Sequence, residues 1–585
     1  MGFDHPIRTH FFLTNLNFVF CFYQSSYLDS MKRSVFYVLI IFYFSCISPK
    51  QAGQQSSPSL ALPFRPNILW LVAEDLSPVI PPFGDSSCTT PALSRLAKEG
   101  IRYPNTFSCA GVCAPSRASL AMGMYQTRIG AQDMRTGPWM VGTPSKQMID
   151  GQRSAFPEGM EYYEAVPPAG AHMHSEYMRM AGYYCTNRFK QDYQFIAPVT
   201  AWDDCSPTAH WRGRKPGQPF FSIFNFEVCH ESQIWEKAKD SLRLKDDALV
   251  TVPPYLPSTP TAMRDIRRMY SNVMEMDSQV GKILDQLEQD GLLDSTIVFW
   301  YSDHGGPLPR QKRLCYDSGL RVPLIIRFPN KWRQGQIDSQ LISFVDFLPS
   351  IVSIAGVKPP DGIDGRSFLG SYTNSTQRKY IHGAADRFDE RYDMIRAVRD
   401  RQYKYLRNFY PEKPYYLPVA YREKMPIMQE MLRLHKSGAL NPAQEQWFRS
   451  KKDPEELFDT YTDPFELHNL ASDPAYANKL TELRNECDHW MKDTQDKGLM
   501  NEKEMVHMMW GGDKQPVTQD PTISSAVNLT QIQSSTPGAS IGYKIIHDSH
   551  EPKAWVIYQS PFAMLPGDKI KAIAHRIGYA PSRIL

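Results

Sequence analysis

Several features that mark specialised classes of protein are scarce or absent in this sequence. Its 585 residues include only ten cysteines, and no two of them form a C-x-x-C pair, so neither a disulfide scaffold nor a structural zinc site is indicated. A formal net charge of +3 without a long basic run gives no support for nucleic-acid binding. Internal repeats and coiled-coil heptads are absent. What remains is a globular protein of two or more domains, whose hydrophobic fraction of 42% is ample for a core.

The N-terminal region has the pattern of an export signal. Met31-Lys32-Arg33 precedes an apolar run at residues 35–44, which is too short to cross a bilayer but fits the apolar part of a signal peptide. We therefore expect a periplasmic or secreted protein with no stable membrane span in its mature form. A membrane anchor made by the same run is the alternative, and lipid anchoring through Cys46 is a minor one. Export permits disulfides, but buried thiols are the expectation for the remaining cysteines.

Three apolar runs have the length of buried strands. They occupy residues 67–73, 220–228 and 296–301, and a strand that is apolar throughout is typical of a parallel sheet covered by helices on both faces. Residues 91–99 and 264–289 have the periodicity of amphipathic helices. Because strands and helices alternate, the sequence predicts an α/β fold with a large mixed, mainly parallel sheet flanked by helices.

Polar residues follow two of these strands. Glu74-Asp75 comes directly after the first run, and Asp303-His304 follows the third. Ligand sites in parallel sheets lie beyond the carboxyl ends of the strands, so these side chains are expected to converge. Carboxylate oxygens are the ligands that Ca²⁺ or Mg²⁺ requires. Acids after strands are also common in turns and helix caps, and either pair alone would more often be structural.

A cysteine precedes another predicted helix. In Cys113-Ala114-Pro115-Ser116-Arg117, the proline suits the first turn of a helix, so Cys113 is expected at the helix N-terminus. Backbone amides at such a terminus favour an anionic group. The structural alternative is a buried cysteine near an ordinary helix start.

This pentapeptide resembles the C-x-P-S-R signature in which sulfatases, members of the alkaline phosphatase superfamily, convert a cysteine into formylglycine. The resemblance covers most of the chain from residue 65 to about residue 498, with the family's landmarks in the same order. The matching positions are Glu74, Asp75, Cys113, Arg117, Lys190, His230, Asp303, His304 and Lys312.

The resemblance implies a role for each of these residues. Formylglycine at Cys113 is a hydrated aldehyde with two hydroxyls, one to attack sulfur and one to expel the sulfate. Arg117 is expected to stabilise the hydrate, and Lys190 and Lys312 to hold sulfate oxygens. His230 is the candidate acid for the leaving group. The implied metal ligands are Glu74, Asp75, Cys113, Asp303 and His304.

Three positions depart from the family's usual pattern. Glu74 stands where an aspartate is usual, and His304 stands where many relatives have an amide oxygen. Histidine suits transition metals better than calcium, so Mg²⁺ and Mn²⁺ are alternatives to Ca²⁺, the expected ion. Asp192 lies where a second histidine often occurs, which bears on the chemistry of the leaving group.

Four parts of the chain are predicted, the first from the signal pattern, the middle two from the resemblance and the last from a shift in composition. These are a signal or leader and linker at residues 1–64, a sulfatase catalytic domain at 65–375, a smaller C-terminal α+β subdomain at 376–513 and a β-rich appendix at 514–585. Within the subdomain, residues 403–407 are predicted as a strand and residues 425–437 and 475–491 as helices. In the appendix, residues 536–543 and 555–558 are predicted as strand, turn and strand.

The expected substrate is a sulfated saccharide. Residues 185–187, 211–212 and 227–232 resemble a bacterial branch related to the heparan N-sulfatases, which implies a sulfate ester or a sulfamate. Conversion of Cys113 would require a formylglycine-generating enzyme or an anaerobic maturase as a partner. An aromatic and basic cluster at residues 407–416 could stack on a sugar ring or serve in packing.

Two other functions stay open from the sequence. One is a phosphodiesterase or phosphonate hydrolase of the same superfamily, because such enzymes can share the metal acids. The other is an inactive glycan-binding protein in which Cys113 is never converted.

Overall fold

The computed structural model of the protein describes residues 65–137, 162–526 and 528–585, which belong to one unit, Leu62–Leu585. The predicted leader, with Met31 and Cys46, lies outside the described residues. The strands are β1 Asn67–Ala73, β2 Ile101–Arg102, β3 Thr106–Phe107, β4 Tyr184–Arg188, β5 Asp204–Cys205, β6 Phe220–Phe226, β7 Thr296–Ser302, β8 Arg321–Val322, β9 Leu324–Arg327, β10 Ile342–Ser343, β11 Ile381–Ala385, β12 Ile395–Arg399, β13 Tyr403–Asn408, β14 Glu455–Asp459, β15 Thr522–Ala526, β16 Leu529–Gln533, β17 Ser540–Ile546, β18 Val556–Ile557 and β19 Lys569–His575.

The helices are α1 Pro91–Glu99, α2 Cys113–Met122, α3 Gln126–Ile129, α4 His174–Met180, α5 Ser232–Glu236, α6 Pro260–Gln289, α7 Asp317–Leu320, α8 Phe347–Ile354, α9 Pro426–Lys436, α10 Pro442–Glu445, α11 Ala477–Thr494 and α12 Glu502–Trp510. Short 3₁₀ turns lie at Pro81–Phe83, Trp211–Gly213, Glu227–Cys229, Leu293–Ser295, Pro329–Lys331, Phe344–Asp346, Arg422–Lys424, Gln446–Phe448, Pro474–Tyr476 and Lys497–Leu499.

The main sheet has seven strands in the order β2-β9-β7-β1-β6-β4-β5. β1 pairs in parallel with β6 and β7, and β4 pairs in parallel with β6 and β5. β9 runs antiparallel to both of its neighbours, β7 and β2. The predicted α/β class with a mixed, mainly parallel sheet is confirmed.

Both faces of the central strand are covered. All seven residues of β1 are buried. Leu69 and Leu71 belong to a core cluster that includes the inner face of α6. On the opposite face, the Trp70 ring lies 5.3 Å from the His174 ring of α4 and 5.7 Å from the Phe347 ring of α8. This burial on two sides explains why the strand is apolar throughout.

Most predicted elements agree with the structure to within a few residues. α6 begins four residues before the predicted start, because Pro260 occupies the first turn and the Thr259 hydroxyl accepts a hydrogen bond from the Ala262 amide. β6 ends at Phe226 rather than at residue 228, and a 3₁₀ turn follows it. That turn brings the chain to His230, whose amide donates to the Glu227 carbonyl at 3.0 Å.

The later parts of the chain carry smaller sheets. β11 to β14 form an antiparallel sheet that contains the predicted strand at residues 403–407. Near the C-terminus, β15 pairs with β16, and β17 lies between β18 and β19. Antiparallel pairing of Gly542 with Ile557 matches the predicted strand, turn and strand. The division of the chain into four parts stays a prediction.

The described part of the chain holds eight cysteines, and none of them forms a disulfide. Seven are buried and Cys205 is partly buried, as expected for structural thiols. Among the helices of the same residues, none has the length and apolar character needed to cross a bilayer.

Candidate active site

The acids that follow β1 and β7 meet at one edge of the main sheet. Parallel pairing sets Ala73 beside Ser302, so the next residues of both strands emerge together. The Asp75 amide donates to Asp303 Oδ1 at 3.1 Å, and His304 Nε2 lies 3.0 Å from Asp75 Oδ1. Glu74 and these three residues are all at most 1% exposed. Asp75 has a left-handed backbone with φ of 47°, and in this conformation its amide points to the Asp303 carboxylate.

Cys113 joins this cluster from the N-terminus of α2. It is the first residue of the helix, after Val112 in an extended conformation, as the sequence predicts. Its Sγ lies 3.2 Å from His304 Nε2, 3.8 Å from Asp75 Oδ1 and 3.9 Å from Glu74 Oε2. Burial raises the pKa of the Cys113 thiol well above its usual range, so the unmodified side chain is a neutral thiol.

The donor atoms fit a divalent cation. Two overlapping groups have ligand atoms within 4.8 Å of one another: Asp75, Cys113, Asp303 and His304 in one, and Glu74, Asp75, Cys113 and His230 in the other. Burial alone would raise the pKa of Asp75 and Asp303, but neighbouring basic side chains, chiefly Lys312 for Asp75 and His304 for Asp303, hold both below their usual range. Ionised carboxylates with one imidazole suit a hard or borderline cation.

Three cations surround the acids. Arg117 donates to both Glu74 and Asp303, the latter at 3.1 Å. Lys190 Nζ lies 2.7 Å from Glu74 Oε2, and Lys312 Nζ lies 2.7 Å from Asp75 Oδ2. Burial alone would lower the pKa of either ammonium, but the carboxylates, Glu74 at Lys190 and Asp75 at Lys312, outweigh it and raise both above the usual range. Both lysines are therefore charged.

His230 lies beside Lys312. Its Nε2 is 3.2 Å from Lys312 Nζ, and its Nδ1 accepts from the Ser232 amide at 3.3 Å. Burial, followed by the charge of Lys312, lowers the pKa of His230 to about 4, so the ring is neutral at neutral pH. The structure thus brings together all nine residues that the sequence singled out.

A cavity of about 180 Å³ opens onto the cluster. Cys113, Lys190 and His230 line it, and so do Arg135, Asp192 and Tyr421. Asp192 has a left-handed backbone with φ of 56°, and its carboxylate lies 4.0 Å from Lys190 Nζ. The cavity gives a bound molecule access to Cys113.

Several residues that support the site escaped prediction. Asn225 Oδ1 accepts from Arg117 at 2.8 Å. The Glu231 amide donates to Asp75 Oδ2 at 2.7 Å, and the Glu231 carboxylate accepts two bonds from Arg313, at 2.8 and 2.9 Å. A signal existed for each: Asn225 is a polar residue in an apolar strand, while Glu231 and Arg313 directly follow His230 and Lys312.

Comparison with known proteins is consistent with this geometry. Residues 66–150 and 175–357 match the Sulfatase family, and residues 310–426 match the C-terminal region of N-sulphoglucosamine sulphohydrolase. An ulvan-active sulfatase of Formosa agariphila is 48% identical over 596 residues, covering 95% of this chain and 97% of the relative. Human N-sulphoglucosamine sulphohydrolase is 25% identical over 471 residues, covering 74% of this chain and 90% of its own length. The solved structure of a 2-O GAG sulfatase shares the fold, with a TM-score of 0.52 at 18% identity, over 74% of this chain and 93% of its own.

Proposed function

Since this chain belongs to the sulfatase family and is a sulfatase, we propose that it hydrolyses a sulfate ester or sulfamate of a saccharide by means of formylglycine at Cys113 and a bound divalent cation. One observation carries the proposal. Cys113 begins a helix, faces the cavity and has its Sγ within 3.9 Å of Glu74, Asp75 and His304. A nucleophile formed there would stand beside both the cation ligands and the entering substrate.

The cation would be held by Glu74, Asp75, Asp303 and His304, together with the modified side chain of Cys113. Ca²⁺ is the expected ion. Mg²⁺ is an alternative that the carboxylates could hold, and Mn²⁺ is an alternative because His304 offers nitrogen. When bound, a divalent cation supplies Lewis-acid stabilisation of negative charge on oxygen.

The remaining residues stabilise negative charge on the reacting groups and supply the proton for the leaving group. Formylglycine, once formed and hydrated, supplies one hydroxyl to attack sulfur and a second to expel sulfate. Arg117 lies against Glu74 and Asp303 and stabilises the negative charge of the hydrate. Lys190 and Lys312 hold the oxygens of the sulfate group, which suits their charged state. His230 protonates the leaving oxygen or nitrogen.

The substrate class rests on the relatives. The 48% identical protein is named as active on ulvan, and the human relative is named for sulphoglucosamine. A sulfated saccharide outside the cell matches the export expected for this chain, with a periplasmic or secreted location and anchoring through Cys46 as a minor alternative. A formylglycine-generating enzyme or an anaerobic maturase is the required partner.

The first experiment is mass spectrometry of the tryptic peptide at residues 103–117, which contains Cys109 as well as Cys113. Conversion makes the peptide about 18 Da lighter, because an aldehyde replaces the CH₂SH group. After iodoacetamide treatment the converted peptide carries one label, on Cys109, whereas the unconverted peptide carries two. Cys109 therefore serves as the internal control for labelling.

The second experiment measures sulfate release from a panel of sulfated saccharides, by the wild type and by Cys113→Ala. We expect release by the wild type and its loss in the variant. Faster turnover of a matched phosphate ester than of the sulfate ester would favour a phosphonate or phosphodiester hydrolase instead. A fully labelled peptide in a protein that still binds the saccharides would indicate the inactive glycan-binding alternative.

A further inference from the structure

Arg135 lines the cavity and uses only part of its guanidinium. Its Nε donates to Asp389 Oδ1 at 2.5 Å, and the terminal nitrogens Nη1 and Nη2 have no hydrogen-bond partner among the residues described. The side chain is 22% exposed. By contrast, Arg313 engages all three of its nitrogens, with Nε on Asp389 at 2.8 Å and both terminal nitrogens on Glu231. Arg135 therefore presents an unused fork of donors to the cavity that contains Cys113.

An ion-pair chain holds Arg135 in place. It runs from the acid cluster to the cavity wall through Asp75, Lys312, Glu231, Arg313, Asp389 and Arg135. The carboxylate of Asp389 is 2% exposed and pairs with both arginines. Because every link up to Asp389 is a buried charge pair and only Arg135 is partly exposed, the position of the Arg135 head is tied to that of Asp75.

Three members of this chain of ion pairs have a left-handed backbone, which is unfavourable for residues other than glycine. Arg135, Arg313 and Asp389 have φ values of 59°, 76° and 54°. Residues other than glycine seldom adopt left-handed backbone, and here two arginines and an aspartate from separate segments converge in one charge network. Strain that the surrounding fold maintains in this way is concentrated at functional sites.

Tyr421 provides an aromatic surface beside the guanidinium. Arg135 Cζ lies 5.2 Å from the centre of the Tyr421 ring, and the Trp235 ring supports that ring edge-on at 5.0 Å. Because the guanidinium lies over the Tyr421 ring, the ring orients its plane and leaves Nη1 and Nη2 to bind the oxygens of a planar or tetrahedral anion.

We propose that Arg135 determines specificity by binding a second anionic group, a carboxylate or a second sulfate, on the saccharide whose reacting sulfate lies at Cys113. This inference rests on the proposed function and adds the substrate feature that the cavity recognises. With Nε held by Asp389, the outer edge formed by Nη1 and Nη2 can bind two oxygens at once.

The experiment compares three disaccharides that share one reacting sulfate. The first carries a uronate carboxylate, the second is its carboxyl-reduced counterpart, and the third carries a second sulfate in place of the carboxylate. We expect the wild type to favour at least one anionic disaccharide over the reduced one by about tenfold to a hundredfold in kcat/KM, the range for a charged hydrogen bond. The preferred disaccharide identifies which anion is bound.

Arg135→Gln is expected to bring that ratio close to one, mainly through KM. Arg135→Lys keeps the charge but not the fork, so part of the preference should remain. Arg433→Gln is the matched control: it removes an exposed arginine that pairs with Glu430, and the ratio should stay at the wild-type value.

The results separate a failure of the proposed function from a failure of the role assigned to Arg135. If the wild type releases sulfate from none of the three, the proposed function fails and this inference fails with it. If it releases sulfate from all three equally well, or if Arg135→Gln lowers kcat/KM for the anionic and reduced disaccharides by the same factor, the sulfatase assignment stands and the role of Arg135 is overturned.

Discussion

The pKa of the His230 imidazole is lowered in two ways. Burial and the adjacent Lys312 ammonium together bring it to about 4. The side chain nevertheless lines the cavity next to Cys113 and Lys190, where a leaving group would depart. A sulfate group bound between the lysines would bring negative charge close to the ring and oppose both effects. If His230 is the acid, as proposed, its protonation would thus be linked to the presence of an anionic substrate.

Replacing His230 tests this role through the leaving group. For His230→Gln we expect kcat on a sulfated saccharide to fall about 10²- to 10⁴-fold, because a sugar alkoxide needs protonation as it leaves. On an aryl sulfate the loss should be far smaller, because a phenolate is a good leaving group without a proton. Sulfate release from both substrates measures the difference.

The control for that comparison is His489→Gln, which changes an exposed histidine paired with Asp493 on α11. It should alter neither rate. Equal losses on the two substrates in His230→Gln would mean that His230 positions the sulfate group or Lys312 rather than donating a proton.

Among the secondary-structure elements, the loop after β7 determines where Asp303 and His304 lie. The Gly305 amide donates to the Gly319 carbonyl at 2.8 Å, and the Gly306 amide donates to the Ser318 carbonyl at 3.0 Å. A Cβ at Gly305 would collide with the Ser318 carbonyl oxygen. Glycine is therefore required at this position by the close approach of two backbones.

Gly305→Ala should displace the loop and, with it, two of the proposed cation ligands. We expect a stability loss of about 1–3 kcal/mol from overpacking, a weaker affinity for the divalent cation and a kcat/KM at least about tenfold lower. Thermal unfolding, metal titration and sulfate release report these changes separately.

Gly281→Ala is a suitable comparison. A Cβ added to this helical glycine of α6 would have only the Ala92 Cβ nearby, at 3.3 Å. Its stability should change by less than about 1 kcal/mol. Wild-type metal affinity in Gly305→Ala would contradict the assignment of this loop to ligand placement.

The secondary-structure elements also explain which residues of the site can be predicted from the sequence and which cannot. β1 and β7 are apolar throughout because both faces are buried, so their ends, with Glu74 and Asp303, could be located from the sequence. The resemblance to the sulfatase signature supplied Cys113, Lys190 and the other positions. The ion-pair chain from Asp75 to Arg135 could not be predicted in this way. Its members come from segments far apart in sequence, and their pairing depends on tertiary packing and left-handed backbone, which leave no local pattern.

Across the whole molecule, Glu164 links the main part of the protein to the C-terminal segment. It is 2% exposed, accepts from the Ile196 amide at 2.7 Å and accepts from Gln515 Nε2 at 2.8 Å. Burial raises the pKa of Glu164 to about 7, although both hydrogen bonds act to lower it.

The raised pKa predicts how stability depends on pH. Between about pH 4.5 and 7 the folded protein keeps the proton on Glu164 while the unfolded chain has lost it, so this group makes stability fall as pH rises through that range. The full effect is about 3 kcal/mol or less. Glu164→Gln removes this contribution, so its Tm relative to wild type should increase by a few °C from pH 5 to pH 8.

Glu412→Gln changes an exposed glutamate and should leave the difference in Tm constant over the same range. A constant difference for Glu164→Gln as well would show that Glu164 is ionised in the folded protein at pH 5.

Cys113 is 2% exposed, and every residue of the helix that it begins is buried. Under the proposed mechanism a separate enzyme has to act on this thiol, and the cavity that reaches Cys113 has room for a small molecule but not for a protein. Conversion would then have to come before α2 packs into the fold. Molecules that folded with the thiol intact would lack the nucleophile, and a preparation would be a mixture of two forms whose ratio depends on the rate of conversion relative to folding.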